Sequence, residues 1–242
     1  MREFWAEMET KKILTGHKYR EELGRGLSRC GFEPVYVPDN PYVDRRLSGH
    51  ADLSIFIVGK TAFLSDYLKN TAVEGEFLEK GFDIIYPDSK QGSIYPEDVG
   101  FNGVFVKNYA VLNRKSICKE IVNFLTFENI PIYNVNQGYT GCSTLVLDSG
   151  HIITGDDAIY KILLKNNIRA LKIDNSFIRL AGFDNGFIGG CGFSAENTLY
   201  LSGVLDYSED KNRILDFISE ACFSVQYLTD MPLFDFGKAF II

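Results

Sequence analysis

The sequence predicts an α/β fold: a five-bladed, pseudosymmetric α/β propeller of repeated strand-strand-helix-strand units, closed by the C-terminal strand. Three observations predict it. Related segments recur roughly every 40 to 55 residues, the signature of a repeat architecture. Within a copy, two apolar runs around a tight polar turn precede a helical pattern and a further apolar run. The last run, Gly237 to Ile242 (GKAFII), has no partner in its own copy, and the first copy lacks its own first strand.

The first copy opens on Lys12 to Thr15 (KILT), then a helical pattern over Arg20 to Cys30, then the strand EPVYV. The next hairpin is SIFIV-GKT-AFLS, Ser54 to Ser65, followed by a weaker helix between Ser65 and Lys80, where Gly75 interrupts the periodicity, and by FDIIY. The third is GVFV-KNY-AVLN, Gly103 to Asn113; its helix, Ser116 to Glu128, carries Ile117, Ile121, Phe124 and Leu125 on one stripe, and Pro131 leads into IYNV. The fourth is TLVL-DSG-HIIT, Thr144 to Thr154, with a helix over Asp156 to Asn166 and the strand ALKI. The fifth is fainter: TLYL-SG-VLDY, Thr198 to Tyr207, with a helix over Glu209 to Cys222 and the strand SVQYL. If GKAFII completes the hairpin of the first copy, the ring closes and two exposed sheet edges disappear. Residues 1–242 are thus expected to form one domain.

The chain has 242 residues, 45% of them apolar and 14% aromatic, which is ample for a core. A net charge of -7, with Arg45-Arg46 as its compact basic group, argues against a nucleic-acid partner. No apolar run approaches the length of a membrane span. The opening stretch, Met1 to Lys12, mixes acids and bases and does not read as a signal peptide, so a cytoplasmic location is expected. Five cysteines without CxxC spacing and three scattered histidines leave no expectation of a disulfide framework, a metal site or a cofactor.

In a ring of equivalent units, the loops joining the third strand of one copy to the first strand of the next meet around one axis. Those seams carry His50 and Asp52, then Asp98 and Asn102, then Tyr139 and Cys142, then Asp184 through Cys191, and finally Asp235. The repeat therefore gathers distant segments into one pocket. Cys142 and His50 form the pair able to perform nucleophilic catalysis, because a nearby imidazole or cationic substrate raises the thiolate fraction of a thiol. The carboxylates of Asp52, Asp98, Asp184 and Asp235 suit a small cation.

The five-unit layout and the segments GHADLSIF (Gly49 to Phe56), NQGYTGCSTLVLD (Asn136 to Asp148), IITGD (Ile152 to Asp156) and GFDNGFIGG (Gly182 to Gly190) resemble the pentein superfamily, also called the guanidine-modifying-enzyme fold. The resemblance is to an uncharacterised bacterial branch of it. It implies a Cys-dependent hydrolase or amidinotransferase in which Cys142 attacks a guanidinium carbon, His50 is the general acid/base, Asp52 and Asp184 clamp the cation, and Arg45 or Arg46 meets a substrate carboxylate. The alternative is a non-catalytic pentein, similar to the ribosome anti-association factor, that uses the ring as a binding surface. The chain departs from the enzyme pattern in one respect. The familiar nucleophile lies late in the chain near a Gly-rich loop, whereas here the last seam has Asp235, and Cys191 in GFIGGCG belongs to the fourth seam. Cys142 and Cys191 both remain candidates at this stage.

Plainer roles cover the other motifs. Cys30, Cys118 and Cys222 fall in helical patterns and read as core residues. His17 and His151 flank hairpins and read as structural or exposed. Gly59-Lys60-Thr61 lacks the upstream glycine of a phosphate loop and reads as a turn; Gly24-Arg25-Gly26 is an equally weak nucleotide signal. GFIGG supplies backbone freedom at a crowded axis.

Overall fold

The computed structural model describes residues 11–242; the opening stretch read above lies outside them apart from Lys11 and Lys12. Fifteen strands and five α-helices follow one another in a repeating order. The chain begins with β1 (Lys11–Gly16), α1 (Arg20–Arg29) and β2 (Phe32–Val37), followed by β3 (Ile55–Val58), β4 (Thr61–Leu64), α2 (Ala72–Glu79) and β5 (Asp83–Ile85). Next come β6 (Val104–Val106), β7 (Tyr109–Leu112), α3 (Lys119–Phe127) and β8 (Ile132–Asn134), then β9 (Thr144–Val146), β10 (His151–Thr154), α4 (Asp157–Lys165) and β11 (Arg169–Lys172). The last full set is β12 (Gly192–Ala195), β13 (Thr198–Leu201), α5 (Lys211–Glu220) and β14 (Ser224–Tyr227), and β15 (Phe240–Ile241) ends the chain.

The strands form five three-stranded sheets, β15-β1-β2, β3-β4-β5, β6-β7-β8, β9-β10-β11 and β12-β13-β14. In every sheet the middle strand is antiparallel to one neighbour and parallel to the other. The terminal strand supplies the missing antiparallel neighbour of the first sheet, with Ile13 opposite Ile241 and Leu14 opposite Phe240. Residues of β3, β6, β9, β12 and β15, among them Ile57, Phe105, Val146, Phe193 and Phe240, line one cavity of about 360 Å³. The outer strands of all five sheets therefore face a common axis.

Each helix buries one stripe at i, i+4 spacing: Leu23 and Leu27, Val73 and Phe77, Ile121 and Leu125, Ile159 and Leu163, and Ile214 and Ile218. The parallel connection between middle and third strands needs a crossover, and the helix provides it. Asp156 caps α4 through hydrogen bonds from the backbone N–H groups of Ala158 and Ile159, at 2.8 and 2.9 Å.

The structure corrects several sequence expectations. The fifth hairpin is formed by β12 and β13, so TLYL is its second strand, and Val204 makes only an isolated bridge to Pro232. The turn between β12 and β13 places Glu196 at φ 54°, a conformation usually given to Gly or Asn, so it left no composition signal, while Ser202-Gly203 did. Helix α2 starts at Ala72 instead of near Ser65, because a 3-10 turn over Asp66–Leu68 and a left-handed Asn70 (φ 60°) come first. Helix α3 starts at Lys119 because Cys118 is still extended, with ψ 132°. Cys118 is buried and Cys30 half-buried, but Cys222 is exposed just past α5, at φ 61°, where the helix has ended and its inward face no longer exists.

The pairing of β15 with β1 makes removal of Ala239 to Ile242 costly. It exposes an edge of β1 and removes buried Ala239 with three half-buried apolar side chains, Phe240, Ile241 and Ile242, each worth about half of the roughly 1.5 to 3 kcal/mol of a fully buried one. At about 2 to 4 °C per kcal/mol for a chain of this size, the truncated protein is expected to melt roughly 10 °C or more below the parent. A calorimetric midpoint within two or three degrees of the parent would show that the terminal strand does not carry the first sheet.

Candidate active site

The strand directions decide where side chains from different units can meet. Because the middle and third strands are parallel and the first is antiparallel, the ends of the middle and third strands and the start of the first share one end of each sheet. The loops at that end carry the candidate residues.

Cys142 precedes β9 and is 2% exposed. Its Sγ lies 2.9 Å from Asp52 Oδ2, to which the thiol donates, and Asn102 Nδ2 donates to the sulfur at 3.1 Å. Asn102 Oδ1 in turn accepts the Cys142 backbone N–H at 3.1 Å, so one amide fixes both the backbone and the sulfur. Asp52 sits in a 3-10 turn over Ala51–Leu53, and its backbone N–H donates to the Gly237 carbonyl at 3.1 Å. His50 immediately precedes that turn. Donor atoms of His50, Asp52 and Cys142 all lie within 4.8 Å of one another.

His50 is held from both ring nitrogens. Nε2 is 3.1 Å from the Tyr19 hydroxyl, and Nδ1 is 3.8 Å from Asp235 Oδ1, within ion-pair range but long for a hydrogen bond. Asp235 Oδ2 accepts the Phe187 N–H at 2.9 Å and Oδ1 accepts the Gly237 N–H at 3.0 Å. The GFIGG segment makes this approach possible. A Cβ on Gly190 would stand 1.9 Å from Asp235 Oδ1, and one on Gly189 would meet the Cys142 carbonyl oxygen at 2.5 Å. Close packing, not positive φ, is what these two glycines provide.

Buried Asp98 and half-buried Tyr139 form a second pair, the tyrosine hydroxyl donating to Asp98 Oδ2. Tyr139 is stacked between Tyr95 and Phe187, with ring centroids 5.9 Å away on each side. Asp184 is exposed and stands apart from the buried cluster. It lines an open cavity of about 540 Å³ that also contains Tyr19, Arg46 and Asp235 in its wall. Arg46 is engaged with Asp44 through two side-chain hydrogen bonds, at 2.7 and 3.0 Å. Cys191 is fully buried, and its thiol donates to the Phe187 carbonyl at 3.2 Å, with no histidine among its hydrogen-bond partners.

Burial raises the Asp52 pKa, the nearby His50 opposing it. Burial also pushes the Cys142 thiol well above its ordinary value, and the negative charges of Asp52 and Asp235 push in the same direction. The resting site thus holds a protonated thiol on a carboxylate. One oxygen of each of two carboxylates, Asp52 Oδ1 and Asp98 Oδ1, is buried without a hydrogen-bond partner, an uncommon arrangement that leaves room for a donor.

Two residues at this site had no motif to announce them. Tyr19, in the loop after β1, holds His50. Lys238, at φ 69° next to Gly237 at φ 73°, is half-buried beside the cluster, and burial lowers its pKa while Asp52 and Cys142 oppose that. The repeat register could have found Tyr19, because loops leaving middle strands lie at the same end as the seams.

A protein-family model matches residues 14–240. The chain belongs to DUF6873, a family of unknown function. No curated protein matches it in sequence. Among solved structures it is similar to DDAH from Pseudomonas aeruginosa, a cysteine-to-serine mutant complexed with citrulline, with TM-score 0.57, 9% identity, and coverage of 91% of this chain and 92% of that one. It is also similar to the N-terminal domain of ArgZ, a cyanobacterial arginine dihydrolase bound to substrate, with TM-score 0.56, 12% identity and 92% of each chain covered. A third is SxtG, an amidinotransferase from Microseira wollei, with TM-score 0.54, 9% identity, and 90% and 88% covered. At these identities the likeness concerns the fold, and this DUF6873 chain has the pentein fold. No helix among the described residues is long and apolar enough to cross a membrane.

The raised Asp52 pKa gives a stability test. A carboxyl whose folded pKa lies above its unfolded value favours the native state while protonated, and that contribution is lost as pH rises through the folded pKa. Asp52→Asn keeps an acceptor for the thiol and removes the charge. The variant is expected to melt several degrees above the parent at pH 7, with the two midpoints converging near pH 3 to 4. An Asp52→Asn difference that does not change with pH would remove the buried charge as its cause.

Proposed function

We propose that this chain is a Cys-dependent hydrolase or amidinotransferase acting on a small guanidino or amidino compound, with Cys142 as nucleophile. The observation that carries this reading is the grouping of Cys142, Asp52 and His50 within 4.8 Å, drawn from two seams of the ring. Relatives in fold include enzymes whose names describe arginine-type chemistry, which agrees with it. Five unpaired cysteines suit a reducing, cytoplasmic setting.

The chemistry follows from the charges. A guanidinium enters by the open cavity and meets Asp235, with Asp184 further out on the same wall. Its positive charge offsets the two carboxylates that keep the thiol protonated, so the Cys142 proton passes along the existing hydrogen bond to Asp52 Oδ2. The thiolate sulfur bonds to the guanidinium carbon, the C–N bond to the departing amine breaks, and His50 protonates that amine. A water in a hydrolase, or an acceptor amine in a transferase, then gives a proton to His50 and bonds to the carbon, the C–S bond breaks, and the released thiolate takes its proton back from Asp52. Asn102 is a positioning residue, fixing the sulfur through both ends of its amide.

A second reading, a non-catalytic binding module, is favoured by one specific feature: Cys142 is fully buried and held as a neutral thiol. A thermal-shift screen over guanidino acids, guanidino amines and amidines, coupled to ammonia and urea release, separates the two. The enzyme reading expects a shift of several degrees with at least one compound. It also expects turnover that falls at least a thousandfold in Cys142→Ser while the shift persists. A shift without turnover in the parent supports the binding module, and turnover that survives in Cys142→Ser removes Cys142 as the nucleophile.

A further inference from the structure

The axial cavity lies on the inner side of the cluster and has a different chemistry from the acidic site. Its walls come from the outer strands of all five sheets; the side chains are mostly apolar, Phe56, Val104, Phe105, Leu145, Phe193 and Ile241 among them, although nearly half of the surface it presents is polar. Lys238 is the one charged residue lining it. No carboxylate among the described residues lies within 4.0 Å of its ammonium, in a chain of net charge -7. Its backbone is held in a costly conformation: φ is 69° at a residue with a side chain, next to Gly237 at φ 73°. Two hydrogen bonds maintain that turn, Asp52 N–H to the Gly237 carbonyl at 3.1 Å and Lys238 N–H to the Gly190 carbonyl at 3.4 Å. The chain thus holds Lys238 in a left-handed backbone conformation in the wall of this cavity, with no carboxylate in ion-pair contact.

We propose that this cavity is a binding site for a small monocarboxylate with an apolar body, the carboxylate pairing with Lys238 and the hydrocarbon lying among the outer strands. The physical case has two parts. An ammonium with no carboxylate in ion-pair contact is poorly compensated: burial lowers the Lys238 pKa, and the charges of Asp52 and Cys142 offset that only in part. An anion beside it removes that penalty. The cavity volume, about 360 Å³, is at the small end of ligand sites and is ample for a small organic acid such as hexanoate or benzoate. A dication or a guanidinium is excluded here by Lys238 itself, so this site is separate in ligand class from the acidic one. The inference does not depend on the proposed catalytic activity.

The test is a calorimetric and thermal-shift titration of the intact protein with hexanoate and benzoate, against hexanamide and benzamide as neutral isosteres and acetate as an anion without an apolar body. Saturable binding of the two acids, at least tenfold tighter than their amides and tighter than acetate, is the expected result. Lys238→Met is expected to lose at least tenfold in acid affinity and to narrow the gap between acid and amide. Val146→Phe, which fills the cavity and keeps the lysine, is expected to abolish binding of the acids. Equal binding of acid and amide, no saturable binding of either acid, or unchanged acid affinity in a folded Lys238→Met or Val146→Phe would overturn the proposal. If neither variant folds, the acid-amide comparison in the parent decides alone. None of these readouts requires turnover or a guanidino ligand, so their outcome is independent of the Cys142 experiment.

Discussion

In each sheet the middle strand runs parallel to the third strand and antiparallel to the first, and the rest of the structure depends on that arrangement. The parallel step forces a helical crossover, which covers the outer side of the sheet. The antiparallel step is a short hairpin, which returns the chain to the opposite end. As a result every seam between units lies at one end, and polar residues that are 40 to 185 positions apart come into contact. Asp52 and Cys142 are 90 positions apart yet share a hydrogen bond, and His50 meets Asp235 across a still longer separation. The first sheet obeys the same rule only because β15 returns from the far end of the chain.

The crowding this produces has a chemical consequence. Cys142, Asp52, Asp235 and His50 are each no more than 2% exposed. Carboxylates brought so close in a dry environment raise the pKa of neighbouring acids, including the thiol. Under the proposed function, a thiol held neutral in this way would ionise only when a ligand brought positive charge, which would favour guanidino compounds over neutral amides and ureas.

Much of this was legible in the sequence, and particular residues show where it stopped. The repeat register located His50, Asp52, Asn102, Cys142 and Asp235, because a register depends on strand order and not on exact boundaries. It could not separate Asp184 from Asp235: both lie in loops at the same end, but the Asp235 oxygens are claimed by the Phe187 and Gly237 N–H groups, while Asp184 is exposed. The fifth hairpin was misplaced by one strand because its turn uses Glu196 in a left-handed conformation in place of a glycine. Tyr19 and Lys238 carried no motif: the register puts the Tyr19 loop at the right end of its sheet, but the importance of Lys238 comes from contacts across the ring.

The two faces of the cluster also explain why Lys238 is tolerated. An ammonium next to a guanidinium site would ordinarily compete with the ligand for the same carboxylates. Here the Lys238 backbone turn is fixed by Asp52 and Gly190, and Lys238 lines the axial cavity, whereas Asp184 lines the open one. The Asp52 charge acts both on Lys238, in the wall of the first, and on Tyr19, in the wall of the second. Charge on one side therefore changes the cost of charge on the other: an anion paired with Lys238 leaves the Asp52 charge less compensated and strengthens the field felt by a cation on the far side. On the two proposals together, the ring, which in its simplest form makes one polar end, would place opposite charge preferences in two spaces that share the field of one buried carboxylate.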